Sequence, residues 1–116
     1  MYRRILTLDL AVRTGWAFYD AGAGGSIRSS HVMFSSRSSQ WGQFLDEFGY
    51  WVASKMDDLS PDLVVIEQPH FRGTATFHLT GMFALANMYA FRFGANQLPV
   101  HSQTMHSYAF GTGDDR

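Results

Sequence analysis

Asp62-Leu63-Val64-Val65-Ile66-Glu67 is a run of four aliphatic residues closed at each end by a carboxylate. Its length suits a strand. Its lack of polar alternation suits a strand covered on both faces, as strands in parallel sheets are. Pro69 has no N–H to give and either stops sheet pairing or forces an edge. On the other side, Ser60-Pro61 breaks the preceding element. That element spans residues 40–56, where Trp41, Phe44, Leu45, Phe48, Trp51, Val52 and Met56 recur at helical spacing. Gln43, Asp46, Glu47, Ser54 and Asp57 fall elsewhere, so the helix is amphipathic. The serines at 35, 36, 38 and 39 precede it and suit a cap.

Further upstream, residues 3–10 read as a buried strand. Residues 15–19 read as a second strand after a turn around Arg13-Thr14, and residues 27–34 as a third after the glycine-rich turn 22–25. Three strands with short connections predict an antiparallel meander. Downstream, residues 74–93 predict a helix with two apolar stripes. Phe77, Gly81, Ala84, Met88 and Phe91 form one, and Leu79, Met82, Phe83, Ala86, Ala90 and Phe93 form the other. A helix apolar on both sides is buried on both sides, either by the rest of the domain or by a partner subunit. Gly94 ends it, residues 98–101 form a short strand, and Ser102 caps a final helical turn through Phe110. The order βββαβαβα predicts an α/β fold, a mixed five-stranded sheet with three antiparallel strands followed by parallel ones and helices on both faces.

The chain has 116 residues, enough for one small domain, here 1–116. At 46% hydrophobic and 16% aromatic it can build a core. No run approaches the length of a transmembrane helix, and residues 1–10 lack a secretory cleavage pattern. Without cysteine there is no disulfide framework and no thiolate metal site. A cytoplasmic setting is expected. The net charge of −1 excludes affinity through bulk positive charge, so phosphate binding would need a local basic surface or metal ions. Lys55 is the only lysine among nine basic residues. The arginines suit bidentate phosphate contact, or simply reflect compositional bias.

Asp9 lies within one apolar strand and Glu67 ends another. An ionised carboxylate in such a setting is costly unless paired or bound to a cation. If the two strands are neighbours, the pair begins a cation site, and oxygen ligands favour Mg2+ or Mn2+. Each acid also has a structural explanation: Asp9 as an acceptor for backbone N–H groups, Glu67 as the strand's exit into solvent.

Ile5-Leu6-Thr7-Leu8-Asp9 followed by Thr14-Gly15-Trp16-Ala17 resembles the opening hairpin of RuvC-type Holliday-junction resolvases, which have the RNase H-like fold. Val64-Val65-Ile66-Glu67-Gln68-Pro69-His70-Phe71-Arg72-Gly73 resembles the second motif of that family, especially its phage-type members. Val100-His101-Ser102-Gln103-Thr104, with Gly111-Thr112-Gly113, resembles the segment before the last catalytic helix. The resemblance implies a two-metal endonuclease that cuts four-way junctions. It assigns Asp9 and Glu67 as catalytic metal ligands, and branched DNA as substrate. It also implies a homodimer built through the helix 74–93, which would give the second apolar stripe a cause.

His70, Phe71, Arg72 and Gly73 are then candidate substrate contacts. Arg72 beside Gly73 allows close approach to phosphate, and Phe71 can stack at a branch point. The chain departs from the pattern where Leu10-Ala11-Val12 follow the aspartate in place of an early glycine, and where Asp114-Asp115-Arg116 replace a lysine-bearing end. The family continues into a helix with further ligands, so the chain is expected to stop short of it. Asp114 and Asp115 are candidate substitute ligands, or a solvated tail. His101 and His106 are expected to be structural, and Trp16, Trp41 and Trp51 to lie in the core. Two other readings remain. One is a non-catalytic or truncated junction-binding relative with an incomplete metal site. The other is a fragment of a sugar-kinase or actin-like ATPase, which Leu10 disfavours by occupying the place of the glycine those proteins need.

Overall fold

The chain is described by a computed structural model covering residues 1–34, 41–68 and 76–101. The aliphatic run forms a strand, β4 (Leu63–Gln68), paired in parallel with β1 (Arg4–Asp9) on one side and β5 (Asn96–His101) on the other. Beyond β1 lie β2 (Arg13–Asp20) and β3 (Ser26–Met33), each antiparallel to its neighbour. The sheet order is β3-β2-β1-β4-β5. This is the expected meander followed by parallel strands. A short 3-10 turn (Ala21–Ala23) and two α-helices, α1 (Trp41–Leu59) and α2 (Thr76–Arg92), complete the described elements.

Strand periodicity decides which face is core. Leu6, Leu8, Val64 and Ile66 are fully buried, and Ile5, Thr7 and Val65 only half-buried. The buried set packs with Phe44, Phe48, Val52 and Met56 of α1 and with Met82, Ala86 and Ala90 of α2. Both described helices therefore cover the same face of the sheet. The final helical turn expected from Ser102 through Phe110, like the serine cluster before α1, lies outside the described residues.

Phe34 closes the core edge-on, with ring centroids 6.1 Å from Phe44, 5.5 Å from Phe48 and 5.8 Å from Trp51. The tryptophans sit at the rim of the core and not inside it. Trp16 and Trp51 are half-buried against it, the Lys55 ammonium lies 4.2 Å from the Trp16 ring centroid, and Trp41 stacks on His78 at 3.9 Å. β3 is almost wholly exposed, as suits a polar edge strand. Pro99 is tolerated in β5 because β5 is the other edge.

The two stripes of α2 have different fates. Met82, Ala86 and Ala90 are fully buried. On the other stripe Ala84 is exposed, and Phe91 is 73% exposed. Phe93, expected on the buried stripe, lies past the end of the helix and is exposed. Gly81 lets the helices approach closely, since a Cβ there would meet Leu45 Cδ2 at 2.7 Å.

One cluster at the amino-terminal end of β1 and β4 sets the pairing. Helix α1 runs three residues past the expected Met56, because Leu59 extends its buried stripe. Ser60 then takes a left-handed conformation (φ 47°). The Arg4 guanidinium donates to the carbonyls of Leu59 and Ser60 and pairs with Asp20 at 2.9 Å. It thereby satisfies carbonyls that a helix end leaves open. Asp62 does more. Its carboxylate accepts the amides of Arg3 (2.9 Å) and Arg4 (3.0 Å), and its own amide donates to the Arg4 carbonyl at 2.8 Å. Its carbonyl accepts the Asn96 amide at 3.0 Å, which starts β5 two residues earlier than Leu98. One residue thus pins three strands.

The Arg3 amide above all, with those of Arg4 and Asp62 itself, holds the Asp62 carboxyl below the usual carboxylate range, against an opposing effect of desolvation. A depressed folded-state pKa means that this stabilisation is present above the ordinary value of 3.8 and is lost as pH falls through the folded value. Asp62→Ala should cost about 1–2 kcal/mol, or ~5–10 °C in melting temperature at neutral pH. The difference from wild type should narrow on acidification below the carboxylate range. Thermal melts across a pH series measure both effects, and a constant difference would refute the assignment.

Candidate functional site

The parallel register aligns Ile5 with Leu63, Leu6 with Val64, Thr7 with Val65 and Leu8 with Ile66. One step further brings Asp9 level with Glu67. Residues in register on neighbouring parallel strands point to the same face, and the strands are ~4.8 Å apart. The two acids therefore stand side by side at the carboxyl ends of β1 and β4, on the face opposite α1 and α2. From β1 the chain runs outward through β2 and β3, whereas β4 and β5 extend the sheet in the other direction. The crevice between β1 and β4 is a topological switch point, the place where open α/β sheets bind ligands.

The environment of Asp9 differs from the expected buried one. It is the last residue of β1 and is exposed, and Glu67 is half-buried. The alternation that buries Leu8 turns Asp9 away from the core, so no burial penalty falls on it. What marks the pair is mutual position. Like charges directly opposite destabilise a sheet pair, and a divalent cation between them converts that repulsion into attraction. The all-oxygen donor set fits Mg2+ or Mn2+. Among the described residues, no three His, Cys, Asp or Glu side chains converge, so these two acids are the donors that the described strands supply. Asp114, Asp115, His70, Phe71, Arg72 and Gly73 lie outside the described residues.

Other residues at this end of the sheet were not singled out by their sequence pattern. Asp9 pairs with Gly15 on β2, and Gly15 with His31 on β3. A row therefore runs Glu67, Asp9, Gly15, His31 across one face. A Cβ at Gly15 would meet the Asp9 Cβ at 3.7 Å, an ordinary contact. The missing side chain leaves open space beside the carboxylate. Arg13, read from sequence as a turn residue, is the first residue of β2. The turn before it is held by Thr14, fully buried, whose hydroxyl donates to the Ala11 carbonyl at 2.6 Å. Arg13 shares the face of Gly15, and its Nη2 lies 2.7 Å from His31 Nε2. Its period-2 offset from Gly15 was the signal that could have placed it there.

The open space beside Asp9 gives a test of whether a cation binds there. Gly15→Val, a residue suited to strands, should leave the melting temperature within a few degrees of wild type. It should also diminish the rise in melting temperature expected of wild type in Mn2+. An undiminished Mn2+ response would show that the cation does not bind beside Asp9.

No family model and no curated protein sequence matches the chain. Solved structures do. The RuvC of Thermus thermophilus in complex with Holliday junction substrate superposes with a TM-score of 0.72 at 12% identity, covering 92% of this chain and 70% of that one. Thermus thermophilus RuvC in a second structure gives 0.70 at 11% identity, covering 100% of this chain and 73% of that one. The yeast mitochondrial Holliday junction resolvase Ydc2 gives 0.69 at 12% identity, covering 98% of this chain and 57% of that one. With strand order and pairing described above, these likenesses show that the chain has the RuvC-like, RNase H-like fold.

Proposed function

We propose that the protein is a divalent-metal-dependent endonuclease that resolves four-way DNA junctions by phosphodiester hydrolysis. The observation that carries this reading is the level placement of Asp9 and Glu67 at the switch point of a RuvC-like sheet. The two carboxylates would hold the cations and, through them, fix the scissile phosphate at the carboxyl ends of β1 and β4. Asp9, on the strand flanked by both β2 and β4, is the central ligand, and Glu67 is the lateral one. Bound Mg2+ or Mn2+ would supply a hydroxide nucleophile at neutral pH and stabilise the leaving oxygen. Gly15 leaves room for the substrate strand to approach Asp9. In this reading His70, Phe71, Arg72 and Gly73 contact the DNA, and Asp114 and Asp115 are further ligands.

Symmetric cutting of a four-way junction needs two sites, and the exposed stripe of α2 supports a homodimer. Ala84 and Phe91 on α2, together with Tyr50 of α1, present apolar surface beside the close approach of the two helices at Gly81. Ala84→Arg should convert a dimer to a monomer by light scattering, with an unchanged circular dichroism spectrum. A wild-type chain that is monomeric at the same concentration would refute this interface.

The catalytic reading is tested with a synthetic four-way junction. Wild type should nick it in Mg2+ or Mn2+. Asp9→Asn and Glu67→Gln should each lose at least about a hundredfold in rate, ~3 kcal/mol of transition-state stabilisation. Both variants should still bind the junction in Ca2+. Tight binding by wild type in Ca2+ with no nicking in Mn2+ would instead establish the non-catalytic junction-binding reading.

A further inference from the structure

We infer that Arg13, held by His31, is a phosphate-binding residue that grips the DNA strand on the β3 side of the carboxylate pair. This rests on the junction-binding reading and adds to it a contact on β2 and β3.

Arg13 has two acceptors within reach. The register places it diagonal to Asp9 on β1 and diagonal to His31 on β3. Both diagonals span ~7–8 Å, within reach of a long side chain. A carboxylate is the stronger partner for a guanidinium. Yet Arg13 reaches to His31, at 2.7 Å from Nε2 and 3.5 Å from Nδ1, and forms no ion pair among the described residues. A guanidinium only donates, so a ring nitrogen of His31 is the acceptor in this contact. Gly15 stands between the two acceptors and leaves the space beside Asp9 open.

Two consequences follow. Asp9 keeps its charge for a cation. Arg13 keeps its own, and both it and His31 are exposed. Its planar fork has five donors, and the bond to His31 leaves others free for a second acceptor. The strands place His31 about two spacings, ~9.6 Å, from Asp9 along the same row. A nucleic acid strand whose scissile phosphate sits at Asp9 and Glu67 must continue in one direction or the other. On the β2 and β3 side, the face offers it a positive charge at this position. In a chain of net charge −1, such a placed charge is what phosphate binding requires. His31 is then a positioning residue, which keeps the guanidinium from collapsing onto Asp9.

The test measures binding of the full chain to a synthetic four-way junction in Ca2+ across a salt series. Arg13→Gln should weaken binding and reduce the slope of log K against log salt by about one per protomer. Arg13→Lys should keep the slope, because it keeps the charge. Arg28→Gln provides the charge-matched control. Arg28 lies on β3 with its guanidinium 5.9 Å from the Phe18 ring centroid, toward the core face, and its loss should leave the slope unchanged. His31→Ala should reduce the rise in melting temperature caused by Mn2+, since the freed guanidinium then competes for Asp9. Equal slopes for Arg13→Gln and Arg28→Gln, with wild type binding normally, would overturn the phosphate contact and leave the junction reading standing. A wild type that binds neither junction nor duplex would overturn both.

Discussion

The grip of Asp62 on the amides of Arg3 and Arg4 is the constraint on which the site depends. Parallel strands have no hairpin to fix their register. Here the register is fixed at the amino-terminal end, where the Asp62 carboxylate, amide and carbonyl tie β4 to β1 and to β5. Five residues further along, the same register brings Asp9 level with Glu67. A slip of one residue would turn Leu63, Val65 and Glu67 into the core and Val64 and Ile66 out of it. Burial of the aliphatic run and placement of the acids are therefore two results of one alignment.

Electrostatics at the opposite end of the sheet follow from separation. In a nearly neutral chain, the proposed cation site and phosphate contact can lie close together only if the two do not neutralise each other. The antiparallel pairing of β2 and β3 provides this by giving Arg13 a partner, His31, on the far side of a glycine. The carboxylates lie at the meeting point of the antiparallel and parallel halves, and the cationic side chain lies over the antiparallel half. A phosphodiester strand bound in the presence of metal ions is an anion that both charges can serve.

Helix α2 links the core to the molecule's surface. Its buried stripe uses Met82, Ala86 and Ala90, with small residues where the sheet is near. Its other stripe meets Leu45 of α1 at Gly81, while Ala84 and Phe91 stay exposed. Gly81 brings that stripe close to α1, where Tyr50 and Ala84 line one groove, and Phe91 is exposed further along α2.

Much of this was legible in the chain itself. Element types followed from period: two in the strands, 3.6 in the helices. The mixed sheet followed from element order, because closely spaced strands pair antiparallel while those separated by a helix can cross over. Asp9 and Glu67 were recognisable as carboxylates closing apolar runs, and their motifs resembled those of a fold that the structure bears out. The sequence reading put Asp9 in a buried setting, whereas the pleat turns it outward. Arg13 was assigned to a turn because its strand begins at the edge of the apolar pattern. Asp62 looked like an ordinary polar boundary, because hydrogen bonds to amides some sixty residues away leave no local signature. Composition and periodicity determine which segments become strands and helices, since burial acts on each segment's own pattern. Register, the facing of Asp9 toward Glu67 and the pairing of Arg13 with His31 were decided only by the tertiary structure, because each depends on contacts between residues distant in the chain.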